Sequence, residues 1–224
     1  MKLAVFNGSP KGKGSNTKIL LDHFLRGFGE TGGNQFELFY LIRKGEFEKS
    51  VDAFKNSEHT LIAFPLYTDC MPGVVKFFIE ALEPLCGQAG NPALGFIVQS
   101  GFSESIHSHN VRRYLEKLCR RLGSEYLGTV IKGGCEGIQS QPERFNRKLF
   151  SSFYELGRIF GLSGVFDQKI VSRLARPVQY SALGLLAGKL FAKIGEIMYW
   201  DRMLKKNGAY EKRFAKPYAS NSLK

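Results

Sequence analysis

The sequence predicts an α/β protein: a doubly wound, five-stranded parallel sheet within residues 1–163, followed by a basic, mainly helical C-terminal extension over 164–224. Three observations lead there. Short apolar runs alternate with amphipathic stretches through the first 140 residues, the pattern of strands alternating with helices. The connections are short, which implies right-handed crossovers and a sheet covered on both faces. Past residue 163 the alternation stops. Five strands suit the smaller doubly wound sheet better than the six-stranded dinucleotide fold.

Taken in order, Leu3-Ala4-Val5-Phe6 is apolar, short and followed by turn residues, as a buried strand should be. Asn16 to Phe28 places Leu20, Phe24 and Phe28 at four-residue steps, one face of a helix. Phe36 to Tyr40 is the second strand, and Thr60 to Phe64 the third, ended by Pro65. Val74 to Leu85 carries Val75, Phe78, Ile79 and Leu82 at helical spacing. Leu94 to Val98 forms the fourth strand, Val111 to Leu122 a basic amphipathic helix, Tyr126 to Ile131 the fifth strand, and Glu143 to Phe160 a helix. Pro177 to Trp200 is apolar, with Leu183, Leu186, Leu190, Ile194 and Ile197 on one helical stripe. Its uncharged stretch, Pro177 to Gly188, falls short of the ~18–20 residues a spanning helix needs.

Composition narrows the function. With 43% hydrophobic and 23% charged residues, the 224-residue chain has material for a sizeable core and is not a disordered segment. Four widely spaced cysteines, Cys70, Cys86, Cys119 and Cys135, argue against a disulfide scaffold, and no C-x-x-C pair supports a zinc ribbon. The opening apolar stretch is too short for a secretory signal, so the expected compartment is the cytoplasm. The net charge of +12 is uneven: +2 over residues 1–140 and +10 over 141–224. The last third is therefore the part that could attract an anionic partner. No Gly-x-Ser-x-Gly elbow is present, so a serine acyl-transfer triad has no footing.

The stretch that carries chemistry is Val5-Phe6-Asn7-Gly8-Ser9-Pro10-Lys11-Gly12-Lys13-Gly14-Ser15-Asn16-Thr17, a strand, a loop and a helix start. Glycines let backbone N–H groups turn inward, Ser9, Ser15 and Thr17 add hydroxyls, and the helix presents its positive end. The spacing matches neither the Walker A loop nor the Gly-x-Gly-x-x-Gly/Ala fingerprint. A hydroxyl-rich loop suits a lone terminal monophosphate.

Gly8-Ser9-Pro10-Lys11-…-Gly14-Ser15-Asn16-Thr17 resembles the phosphate loop of the flavodoxin-like NADPH-dependent FMN reductases and NAD(P)H-quinone oxidoreductases, relatives of the iron–sulfur flavoproteins. A second match follows the third strand, where Pro65-Leu66-Tyr67-Thr68-Asp69-Cys70-Met71-Pro72-Gly73 leads into Lys76-Phe77-Phe78. The resemblance covers roughly residues 1–135. It implies a flavodoxin-like sheet with FMN at the carboxyl ends of the strands, commonly in a homodimer. Ser9, Ser15, Asn16 and Thr17 would hold the FMN phosphate, and Pro65, Leu66, Tyr67 and Thr68 would line the isoalloxazine ring; Lys11 is a further cofactor-binding residue, which with Lys13 and the tail could meet a 2′-phosphate of the nicotinamide cofactor. The loop after the fourth strand adds Ser100 and Gly101 at the polar edge and Phe102 as a stacking face.

The activity implied is transfer of hydride from NAD(P)H through flavin N5 to a small acceptor such as a quinone or nitro compound. No catalytic side chain is required, since the cofactor carries the chemistry. The alternatives are a flavodoxin-type electron carrier, against which the +12 charge speaks, and a flavin-sensing regulatory protein. No cluster is expected, because Leu41 to Ser50 lacks the cysteines of the iron–sulfur members, and His107-Ser108-His109 lacks companions for a metal. Cys70 reads as a small semi-buried residue. The C-terminal segment has three readings: packing on its own sheet or a second subunit, a lid, or peripheral contact with a membrane. Nucleic acid is not an expected partner.

Overall fold

The computed structural model describes residues 1–177 and 200–216. The expected helix over Pro177 to Trp200 therefore lies, apart from its two ends, outside the described residues. The chain divides into two compact units, Met1–Val178 and Gln179–Lys224.

The first unit is the predicted sheet. Its strands are β1 (Lys2–Asn7), β2 (Gln35–Tyr40), β3 (His59–Pro65), β4 (Ala93–Gln99) and β5 (Tyr126–Lys132). All pairs are parallel and the order is β2-β1-β3-β4-β5, that of the flavodoxin-like doubly wound fold. The register brings the strands to a common end, because Asn7 pairs with both Tyr40 and Ala63, Pro65 with Gln99, and Gln99 with Lys132. β1 leads to β2 on one side and the chain then crosses back to β3 on the other. The crevice at that reversal is where such sheets hold ligands.

Alternation along the strands supplies both faces of the core. Ala4, Phe6, Ile62, Phe64, Phe96 and Val98 point to one side, and Leu3, Val5, Leu61, Ala63 and Ile97 to the other. The first face is covered by α2 (Phe47–Lys55), α3 (Gly73–Ala81) and α4 (His109–Leu122), the second by α1 (Asn16–Gly29), α5 (Glu143–Ser163) and α6 (Gln168–Leu174).

Two elements depart from the sequence reading. Helix α2 was not anticipated: its only apolar contacts with the core are Phe47, Val51, Ala53 and Phe54, set among charged residues. The helix expected over Val74 to Leu85 stops at Ala81, and Glu83–Leu85 continues as a 3₁₀ turn. Pro84 is the cause, since proline cannot donate to the preceding turn and its ring clashes with that carbonyl. The core also runs past residue 163. Phe166 is 3% exposed and lies over β4 and β5, where a Cβ on Gly95 would come within 2.9 Å of its ring. Ile170 and Leu174 of α6 join the same core.

Helices α1 and α5 cross at close range. A Cβ on Gly27 would stand 2.0 Å from the Tyr154 carbonyl oxygen, and one on Gly157 would stand 1.9 Å from that of Phe24. Neither backbone can move without moving its helix.

In the second unit, a short helix (Asp201–Lys206) precedes a 3₁₀ turn (Tyr210–Lys212). The Arg213 guanidinium lies 3.8 Å from the Tyr210 ring centroid and donates to the Tyr210 carbonyl at 2.7 Å. Among the described residues, no helix is long and apolar enough to cross a membrane.

The helix crossing yields a prediction opposite in sign to helix propensity. Alanine ordinarily stabilises a helix interior relative to glycine by ~1 kcal/mol, yet Gly157→Ala should destabilise the protein by about 2–3 kcal/mol through overpacking. Gly29→Ala, with open space around it, should cost little. Urea denaturation of both variants checks the pair.

Candidate functional site

The loops leaving β1, β3, β4 and β5 converge on one cleft of about 350 Å³ at the carboxyl end of the sheet. Larger open grooves lie elsewhere, such as one of about 860 Å³ beside the start of β2, lined by Lys2, Phe36, Asn56 and Ser57. That groove sits at the opposite end of the strands and gathers no comparable set of loops. Convergence of polar groups, not volume, marks the site.

The first loop is built inward from Asn7. This fully buried residue ends β1, and its Oδ1 accepts the Ser9 N–H at 2.9 Å while its Nδ2 donates to the Gly12 carbonyl at 3.4 Å. Gly12 turns the chain with φ 55°, which glycine adopts without strain. Ser15 is the N-cap of α1: its hydroxyl accepts from Lys18 N–H at 3.1 Å and donates to the Gly12 carbonyl at 2.7 Å. The Thr17 hydroxyl is fully buried and accepts from Gln99 Nε2 at 3.3 Å. The Ser15 hydroxyl, expected to donate to a phosphate, is thus committed within the protein, and the Thr17 hydroxyl is buried beside Gln99. Lining the cleft at this end are Ser9, Lys11, Ser15 and Asn16, beside first-turn amides that have no acceptor within the helix.

Asn16 also ties the site to the loop after β5. Its Nδ2 donates to the Cys135 carbonyl at 2.7 Å, a contact that settles the amide orientation. Its Oδ1 is then left buried with no partner. The Cys135 N–H donates to the Ser100 carbonyl at 2.8 Å, and the Ser100 N–H to the Lys132 carbonyl at 3.0 Å. Gln139 Nε2 reaches the Gly14 carbonyl at 2.7 Å. The loop over 133–139 therefore braces the first and fourth loops together.

On the third side, Pro65 and Leu66 are buried and Tyr67 is 46% exposed at the rim, all three lining the cleft. Ser100 and Gly101 line it as expected. Thr68 and Phe102 are exposed and do not. Thr68 turns the chain away, and the Phe102 ring packs on His107 with centroids 4.6 Å apart. Cys70, expected to be semi-buried, is exposed.

Three lining or bracing residues were not anticipated: Gln99, Glu136 and Cys135. Among the described residues, Glu136 lines the cleft with its only carboxylate. Gln99 could have been found as a polar residue closing an apolar strand. The other two carry no local signal, because the loop after β5 matches no spacing rule.

Burial pushes the thiols of Cys119 and Cys135 up from the ordinary 9.0 to about 12. Neither is a nucleophile at neutral pH. Among the described residues, no group of His, Cys, Asp and Glu could hold a metal ion.

The donor set suits a molecule with a monophosphate, a hydroxylated stem and a planar ring. A cation and helix amides sit at one end, an orphaned acceptor in the wall, and an aromatic side chain with Pro65 and Leu66 at the other end. FMN has those parts in that order, and the residues present fit it.

Solved structures share this fold. The FMN-dependent NADH-azoreductase from Bacillus anthracis, in complex with FMN, is 15% identical over 71% of this chain and 99% of its own, with a TM-score of 0.54. An NADPH-quinone reductase from P. pentosaceus is 13% identical over 69% of this chain and 96% of its own, with a TM-score of 0.51. RosB with bound 8-demethyl-8-formylriboflavin-5'-phosphate is 14% identical and spans 86% of this chain and 87% of its own, with a TM-score of 0.55. No protein-family model and no curated protein matches the chain.

The buried thiols set an alkaline limit. Their folded-state pKa lies above the unfolded value, so above pH 9 the unfolded chain sheds protons that the folded one keeps. Stability should therefore fall as pH rises from about 9 toward 12, on the order of 1 kcal/mol per thiol by pH 10. Urea titrations at pH 8 and 10 should show a smaller fall in a Cys119→Ala/Cys135→Ala variant. In native protein at pH 8, a thiol reagent should modify Cys70 and Cys86 only, the two exposed cysteines.

Proposed function

We propose that the chain is an FMN-dependent oxidoreductase that takes reducing equivalents from NAD(P)H and passes them to a small acceptor such as a quinone, a nitro compound or an azo compound. The observation that carries this reading is the convergence of Ser9, Lys11 and the first turn of α1 on one side of the cleft with Pro65, Leu66 and Tyr67 on the other. The solved structures of the same fold support it, being described as an FMN-dependent NADH-azoreductase and an NADPH-quinone reductase. Those two descriptions differ in the nicotinamide, and the proposal covers both.

Bound FMN would supply the two-electron chemistry; the protein binds, orients and shields it. Lys11, Ser9 and the α1 amides hold the phosphate, with the helix dipole offsetting its charge. The orphaned Asn16 Oδ1 accepts from a stem hydroxyl. Pro65 and Leu66 give the ring a dry wall and Tyr67 bounds the rim, while Gly101 offers backbone groups to its polar edge. Glu136 accepts a hydrogen bond from a donor on the ring or the acceptor, and keeps a second anion out of the cleft. No side chain in the cleft is placed as an acid or base, and the first step needs none. A homodimer in the cytoplasm belongs to the same proposal.

The test is an absorbance spectrum of the purified protein before and after anaerobic NADPH or NADH. Bands near ~375 and ~450 nm that bleach within seconds are the expected outcome for a flavin reduced by pyridine nucleotide. A colourless protein that takes up no added FMN would overturn the proposal. Lys11→Ala should raise the FMN Kd by about tenfold, the value of one charge-assisted contact of ~1.4 kcal/mol, and should flatten its salt dependence. Fluorescence titration with FMN at two ionic strengths reads both effects.

A further inference from the structure

Among the described residues, only two that are not glycine hold a left-handed backbone: Thr68, with φ 49°, and Asp69, with φ 59°. They are adjacent, and they form the centre of a reversal. The Tyr67 N–H donates to the Cys70 carbonyl at 2.8 Å, and the Cys70 N–H donates back to the Tyr67 carbonyl at 3.1 Å. A two-residue turn with positive φ at both centres is the type that asks for Asn-Gly or Asp-Gly. Thr-Asp is poorly matched to it, the β-branched threonine above all. Such a backbone persists only where its surroundings over-determine it.

The restraint comes from the neighbouring loop. His107 Nδ1 lies 3.1 Å from Asp69 Oδ1. The same imidazole packs on Phe102, with centroids 4.6 Å apart and planes 32° apart. Two residues before it, the Ser105 hydroxyl donates to the Ala175 carbonyl at 2.5 Å, which anchors the loop to the end of α6. His107 is thus held on two sides and presents a nitrogen to the strained turn. The corner of that turn is Tyr67, at the rim of the cleft.

We infer that His107 is a positioning residue: through Asp69 it holds the left-handed turn over Tyr67–Cys70, and so sets Tyr67 at the cleft rim in the geometry that receives a planar ligand ring. Phe102, read from the sequence as a stacking face for the flavin, instead supports His107. The ligand half of this inference rests on the proposed FMN reading; the restraint on the turn does not.

The test uses His107→Ala, Asp69→Ala, the double variant, and His107→Gln, whose amide can still donate to Asp69. The first readout is hydrogen exchange at the Tyr67 and Cys70 amides in protein free of FMN, and the second is FMN affinity by flavin fluorescence. His107→Ala should speed exchange at those two amides by about 1.5-fold to fivefold, the range for an exposed pair, and Asp69→Ala by at least as much. FMN affinity should weaken by a similar factor with an unchanged melting temperature. The double variant should add little to Asp69→Ala, because the two residues act through one contact. His107→Gln should restore most of both losses. Unchanged exchange in His107→Ala, or fully additive effects in the double variant, would overturn the inference. If exchange responds as expected but the unaltered protein binds no FMN, the restraint stands and the FMN reading falls.

Discussion

Helices α1 and α5 touch backbone to backbone at Gly27 and Gly157, and the rest of the site depends on that contact. Any side chain at either glycine would have to occupy space within 2.0 Å of a carbonyl oxygen on the other helix. The crossing fixes how close α1 lies to α5 and leaves it no freedom to slide. Because α1 starts directly in the cleft, its position decides where its positive end points. The packing of the two helices and the placement of the α1 start are therefore set by the same pair of glycines. Phe24, Phe28, Phe160 and Phe166 fill the space around the crossing with ring contacts at 5.0–6.3 Å between centroids and keep it dry.

From that fixed helix the cleft is assembled largely by main-chain groups. Asn7, Ser15, Thr17 and Gln99 are buried polar residues whose hydrogen bonds to one another and to the main chain shape the loop, Ser15 and Gln99 also lining the cleft. Burying them unpaired would cost ~1–3 kcal/mol each, so their pairing is a condition of the fold. The groups left over for a ligand are few and varied: one ammonium, one hydroxyl, helix amides, an orphaned amide oxygen, one carboxylate and one phenol ring. On the proposed reading, such a site would hold and orient a cofactor that brings its own reactivity. It is poorly equipped for acid–base chemistry, and its nearest thiol, Cys135, is buried and kept protonated.

The charge distribution separates two tasks. Residues 1–140 are nearly neutral in sum, and the cleft takes its positive character from Lys11 and a helix end. The excess of ten positive charges lies over residues 141–224, and within the first unit the described residues 141–177 add no lining residue to the cleft.

The sequence by itself determined the sheet, because buried parallel strands are near-continuous apolar runs and the helices between them carry a 3.6-residue stripe. It also determined the two loops at the carboxyl strand ends, since glycines, hydroxyls and a helix start within a dozen residues leave a local signature. Helix α2 was not legible, its apolar positions being too sparse among charges. Nor was the inclusion of Phe166, Ile170 and Leu174 in the core, which depends on space above β4 and β5. Only the tertiary structure decided which predicted residues face the cleft. Ser9, Lys11, Ser15 and Asn16 do, but the Ser15 hydroxyl is taken up by a cap and the buried Thr17 hydroxyl accepts from Gln99, a residue 82 positions away. Only it placed Glu136 in the cleft and His107 beside Asp69. Composition shows which chemical groups a loop carries; which of them stay free is settled by partners far along the chain, and those partners meet only when the strands align.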